Sequence, residues 1–186
     1  MPYDLARLDR RVKWLVTCLL GTFGLAYLFG GWMVALYAGF TPARVARTYA
    51  EPALTAAPET TMVMEHAMPM SAFDAADTAE VHLVDTKLLV QDTHVHVPMY
   101  GVIAALLSVV ILGLGLSPGW GFGLITLLFS APWLDFAGMW LTKFASPRFA
   151  VLTVAGGFAM GLGYTIVAVL AMRRMWLMPA TERNHQ

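Results

Sequence analysis

Four long apolar stretches constrain this chain more than any other feature. A bilayer core about 30 Å thick takes ~20 helical residues to cross. Trp14 to Phe40, Pro98 to Leu116, Trp120 to Leu141 and Phe149 to Met172 all meet that length. The first, at roughly 27 residues, must tilt or run past the core. With 58% hydrophobic and 13% charged residues, the composition is that of a membrane protein and not of a soluble globule. Only "SPG" joins the second stretch to the third, and "TKFASPR" the third to the fourth, so these are antiparallel neighbours. The expected fold is all-α and integral to the membrane. It is a single membrane domain over 1–186, a four-transmembrane-helix bundle with one extracytoplasmic loop, Thr41 to Val97.

Charge sets the expected orientation. Arg7, Arg10, Arg11 and Lys13 precede the first stretch, as in a signal peptide, but the apolar run is about twice the length of a signal-peptide core and no A-x-A site follows. An uncleaved helix is expected. Arg173 and Arg174 close the fourth stretch, while acids outnumber Arg44, Arg47 and Lys87 in the loop. The positive-inside rule then makes both termini cytoplasmic and the loop periplasmic in a bacterial inner membrane, with Lys143 and Arg148 on the outer side. Formal net charge is zero and no basic block exists to neutralise phosphates, which excludes nucleic acid as a partner. The lipid bilayer is the first partner; other membrane subunits or self-association come next. Cys18 stands alone, completes no Cys-x-x-Cys or haem-attachment motif, and reads as a small packed or lipid-facing residue.

Within the spans one side chain is formally charged, Asp135 in "APWLDFAGMW". An acid inside a membrane is costly and marks a candidate functional site. It is expected about 9 Å below the outer end of its helix, as a proton-relay or transport group or as a structural carboxylate paired with Lys143 or a neighbouring helix. Gly157 and Gly161 have small-xxx-small spacing, and Gly24, Gly30 and Gly31 thin the first helix, so close helix packing is available.

The loop carries the remaining chemistry. "YAEPALTAAPETT" reads as irregular. Val81, Val84, Leu88 and Leu89 follow the possible caps Asp77 and Thr78 at helical spacing, which predicts a surface helix. His66, His82, His94 and His96 lie in this loop, with Met68 and Met70 beside His66. Imidazole and thioether together suit copper or the axial pair of a haem b. Pro98 decides the geometry of "THVH". If the helix starts there, His94 and His96 share a side of an extended segment; if the helix is continuous, they diverge by about 200°. Asp135 and Tyr100 should lie at similar depth, near enough to orient His96 behind a metal or to close the bundle's outer end.

"HVHVPMYGVIAALLSVVILG" resembles a haem-bearing helix of the haem-copper oxidase subunit I superfamily, in which a histidine heading a small-residue helix ligates haem. The likeness covers one helix, and the chain lacks the other histidines of a terminal oxidase. "GFTPARVARTY", "THVHVPMYG" and "LDFAGMWLTKFASPRFAVL" are similar to a family of small four-span bacterial membrane proteins, a resemblance that covers most of the chain and implies the fold but no activity. There is no phosphate loop, G-x-S-x-G elbow or H-E-x-x-H helix, so a non-enzymatic role is expected. The leading expectation is an accessory or structural subunit of a larger respiratory or photosynthetic membrane complex. The alternatives are a haem- or copper-binding redox or sensor protein and an Asp135-dependent proton relay or transporter.

Overall fold

The structure is a computed structural model and describes residues 3–50 and 84–177. Five α-helices make it up: α1 Arg10–Tyr37, α2 Pro42–Tyr49, α3 Thr86–Leu112, α4 Pro118–Phe144 and α5 Ala150–Met172. Short 3-10 turns cover Leu5–Arg7 and Pro147–Phe149, a π turn, Arg173–Leu177, continues α5, and there is no strand among the described residues. All but α2 belong to the four helical segments that are long and apolar enough to cross a membrane. This is a multi-pass helical membrane protein. Residues 3–9 and 173–177 lie at one end of the bundle, the terminal end, and α2 with the start of α3 at the other, the loop end.

Local chemistry sets each boundary. Asp9 caps α1 by accepting from Arg11 N at 2.8 Å. α1 stops where Ala38 N and Gly39 N both donate to Val34 O, with Gly39 at φ 72°, a left-handed residue that only glycine adopts cheaply. Thr41 and Pro42 then open α2, the cap and first-turn proline of a helix start. Asp85 caps α3, accepting from Leu88 N at 2.6 Å.

This cap explains the main departure from expectation. The second long helix begins at Thr86 and not at Pro98, which sits exposed inside α3. An internal proline removes one helical hydrogen bond, that to His94 O, without ending the helix. Over 27 residues α3 is about 40 Å long and outreaches a ~30 Å core, so its first turns stand at the membrane surface. Leu88 and Leu89 of the expected surface helix are therefore the start of α3. Val81 and the caps Asp77 and Thr78 lie outside the described residues. α1 runs four residues further toward the N-terminus than the Trp14 start, α4 extends to Phe144 beyond Leu141, and α2 was not anticipated.

The most intimate contact joins α4 and α5. Gly138 of α4 faces the backbone and hydroxyl of Thr153, and a Cβ at Gly156 of α5 would sit 2.5 Å from the backbone N of Asp135. Two glycines on opposite helices thus let the backbones touch at adjacent levels. The expected packing pair behaves differently. Gly161 abuts the Tyr27 hydroxyl of α1, whereas a Cβ at Gly157 would meet nothing within 4 Å. The main core fills the terminal half, with Leu107, Val110 and Ile111 of α3 against Leu124 and Leu128 of α4 and Val167 of α5. A smaller cluster, Leu89, Phe136 and Met139, lies at the loop end.

The terminal end is tied by polar contacts. Arg174 donates from Nε and Nη2 to the two Asp4 carboxylate oxygens at 3.0 and 2.6 Å, and Leu5 N donates to Gly113 O at 2.9 Å. The Arg174 guanidinium holds the Asp4 carboxyl below the usual carboxylate range. Both partners are part-exposed, so this forked pair contributes under ~1 kcal/mol.

Gly156→Ala should destabilise the bundle by about 1–3 kcal/mol through overpacking, read as a lower unfolding midpoint in detergent. Gly157→Ala should leave the midpoint unchanged. Equal effects of the two substitutions would contradict this packing.

Candidate functional site

Because α3 is continuous through Pro98, Asp92, His96 and Tyr100 recur every fourth residue and share one face. Asp92 Oδ1 lies 2.8 Å from His96 Nδ1, and the Asp92 carbonyl oxygen is 2.9 Å from the same nitrogen. Nδ1 therefore carries the proton in this arrangement. The His96 ring packs on Tyr100 at 5.9 Å between centroids, and Tyr100 packs on Phe136 of α4 at 6.1 Å. The column runs from the membrane surface toward the bundle interior.

Asp135 stands across from it on α4. Close contact with α5 leaves it 8% exposed, and Thr153 Oγ1 donates to its backbone oxygen at 3.4 Å. Among the described residues no hydrogen bond or ion pair reaches its carboxylate. The carboxylate lies within electrostatic reach of Asp92 and of the hydroxyls of Tyr27, Tyr49 and Tyr100, so α1, α2 and α3 all contribute to its surroundings. Tyr49, on α2 and half-buried, has its hydroxyl pushed up by its partial burial and then by the carboxylates of Asp92 and Asp135; it stays a neutral donor. Thr142, on the same face of α4 two turns nearer the loop end, is fully buried with no hydrogen-bond partner for its hydroxyl among the described residues.

At the loop end of α4, Lys143 is drawn into the bundle. It is 4% exposed, and its ammonium donates to Val84 O at 2.9 Å. Val84 N in turn donates to Thr48 O of α2 at 3.0 Å. Trp140 Nε1 donates to Thr93 Oγ1 at 3.0 Å. These bonds fasten α2 and the start of α3 onto the end of α4.

The two histidines of "THVH" are not a chelating pair. His94 is exposed and His96 half-buried beside Asp92, on nearly opposite sides of one helix. Among the described residues no group of three or more His, Cys, Asp or Glu is placed to hold a metal ion. His66, His82, Met68 and Met70 lie outside the described residues. Of the expected site residues, His96, Tyr100 and Asp135 are brought to one region and His94 is turned away. Asp92, Tyr27 and Tyr49 were missed. For Asp92 the signal was its four-residue spacing to His96 and Tyr100, legible once the helix is known to pass through Pro98.

Residues 84–182 match the Aq_1264_TM family model, a transmembrane helical domain. That segment is just over half of the chain. The protein belongs to the Aq_1264_TM family. The family segment contains α3, α4 and α5 with Asp92, His96, Tyr100 and Asp135, whereas α1 and α2 precede it. No curated protein and no solved structure matches the chain.

Lys143→Met should free Val84 and loosen the loop end by about 1–3 kcal/mol. Hydrogen exchange should accelerate over 42–49 and 84–93 and stay slow over 104–112. Unchanged protection at the loop end would show that Lys143 does not fasten it.

Proposed function

We propose that this Aq_1264_TM protein is a small accessory subunit of a larger membrane assembly, such as a respiratory or photosynthetic complex, and that α1 is the arm by which it engages a partner helix. The observation that carries this reading is the isolation of α1. Of its 28 residues only Leu20 is buried, and its tertiary contacts are chiefly with α5. The crossing is short. Tyr164 OH donates to Leu20 O, Tyr27 OH donates to Gly157 O at 3.0 Å, and the two tyrosine rings stack at 6.3 Å.

Beyond Tyr27 the helix departs from the bundle. Gly30 and Gly31 have nothing within 4 Å of a Cβ position, and an open apolar strip with Leu28, Trp32, Leu36 and Phe40 runs beside them. Apolar exposure costs nothing in lipid. A helical glycine costs about 1 kcal/mol, and small residues in membrane helices are enriched where another helix approaches. Two adjacent glycines flanked by bulky side chains fit a partner helix better than disordered acyl chains. The lead position of α1, outside the family segment, agrees with an attachment arm added to a three-helix unit. The basic residues at the terminal end support cytoplasmic termini in a bacterial inner membrane.

A photo-cross-linking residue at Trp32 or Leu36, irradiated in native membranes, should yield a protein adduct of one defined larger mass. The same residue at Phe158 on exposed α5 should yield none. Adducts with lipid alone would overturn the reading, and an adduct of twice the chain's mass would replace a foreign partner by self-association.

A further inference from the structure

We propose that Asp135 is a proton-exchange site open to the compartment at the loop end of the bundle and sealed from the compartment at the terminal end. The proposal is independent of the assembly reading, since the relay residues lie in α3 and α4 and work whether or not α1 holds a partner.

The first argument is burial. Asp135 is nine-tenths buried inside a span, and no hydrogen bond or ion pair reaches its carboxylate among the described residues. An isolated charge in such surroundings costs many kcal/mol, and intramembrane acids that persist mark proton or ion pathways. Lys143, the nearest cation on its own helix, directs its ammonium to Val84 O, toward the loop end.

Access is the second argument. Asp92 and His96 are 40% and 41% exposed and 2.8 Å apart, and they lie on the first three turns of α3, the part of this ~40 Å helix that outreaches a ~30 Å apolar core on the loop side. Asp92 engages Nδ1 of His96, which leaves Nε2 for an exchanged proton. The His96 ring leads to Tyr100, whose hydroxyl lies within electrostatic reach of Asp135. Tyr100 and Asp135 do not hydrogen-bond, so the last transfer requires water between them. Uptake moves one proton from loop-side hydronium to the Asp135 carboxylate and gives a neutral carboxyl group. Release reverses this, and no electron moves.

The seal is the third. From Asp135 back to Pro118, α4 covers about 25 Å, and the core along that distance is Leu124, Leu128, Leu107, Ile111 and Val167. The buried members of that cluster are apolar, and the two tyrosines packed against it, Tyr3 and Tyr164, donate their hydroxyls to Val109 O and Leu20 O. Among the described residues, the titratable groups within electrostatic reach of Asp135 are Tyr27 from α1, Tyr49 from α2, and Asp92 and Tyr100 from α3, with His96 packed on the far side of Tyr100. α5 presents Thr153 and Gly156, neither of which titrates.

The test is infrared spectroscopy of the full chain in proteoliposomes, with carboxyl-13C aspartate and the two compartments buffered separately. A Thr41→Cys variant that also carries Cys18→Ala, labelled with an impermeant thiol reagent, reports which way the protein faces. A neutral-carboxyl band should be present, should be lost in Asp135→Asn, and should fall when loop-side pH is raised from about 5 to about 8 with no response to the other side. His96→Gln should keep the band and slow its response about tenfold or more. Should Asp135→Asn fail to fold, the sidedness of the band in the unaltered chain decides. Absence of the band at every pH, a band that never titrates, one that survives in Asp135→Asn, or one that follows the terminal-side compartment would overturn the proposal.

Discussion

The touching backbones of α4 and α5 are the constraint on which the rest of the structure depends. In lipid, apolar side chains gain little by leaving one apolar surrounding for another, so helices associate through close van der Waals fit. Gly138 and Gly156 supply that fit by letting each helix occupy the space a side chain would take on the other. One consequence is structural: α4 and α5 form a close-packed pair to which α3 adds its own buried face. The other is chemical. Asp135 gives its backbone to this contact, and its carboxyl group is thereby held inside the bundle.

The two ends of the bundle solve different problems. At the terminal end the Asp4 and Arg174 pair and the Leu5 to Gly113 bond close an apolar core. At the loop end the core thins to Leu89, Phe136 and Met139, and polar bonds from Lys143 and Trp140 take over the fastening. Polar groups therefore collect at one end, and there the Asp92, His96 and Tyr100 column meets Asp135. α1 belongs to neither arrangement, because a few contacts around Leu20, Gly24 and Tyr27 join it to α5.

Fold class was legible in the sequence because the bilayer imposes a length on every span. The continuity of α3 was one of two readings that Pro98 left open, as a helix start or as an internal kink, and the Asp85 cap that decides between them sits well upstream. Once α3 is continuous, "THVH" ceases to be a ligand pair and Asp92 becomes the partner of His96. Asp135 was visible as the one charge inside a span. Its surroundings were not, because Tyr27 and Tyr49 come from α1 and α2, whose placement depends on tertiary contacts that periodicity does not encode. The glycine contact was misread for a similar reason. Gly157 has the spacing of a packing residue, but its neighbour Gly156 is the one turned toward α4.

The burial of Asp135 by the α4 and α5 contact is the central claim, and a spin-label accessibility scan along α4 from Phe129 to Phe144, in lipid bilayers, tests it most directly. Positions 135, 139 and 142 should be inaccessible both to oxygen and to a water-soluble relaxant, while 133, 134, 137 and 141 should be open to oxygen. Free access of either reagent to position 135 would place that residue against lipid or water and contradict its burial between the helices.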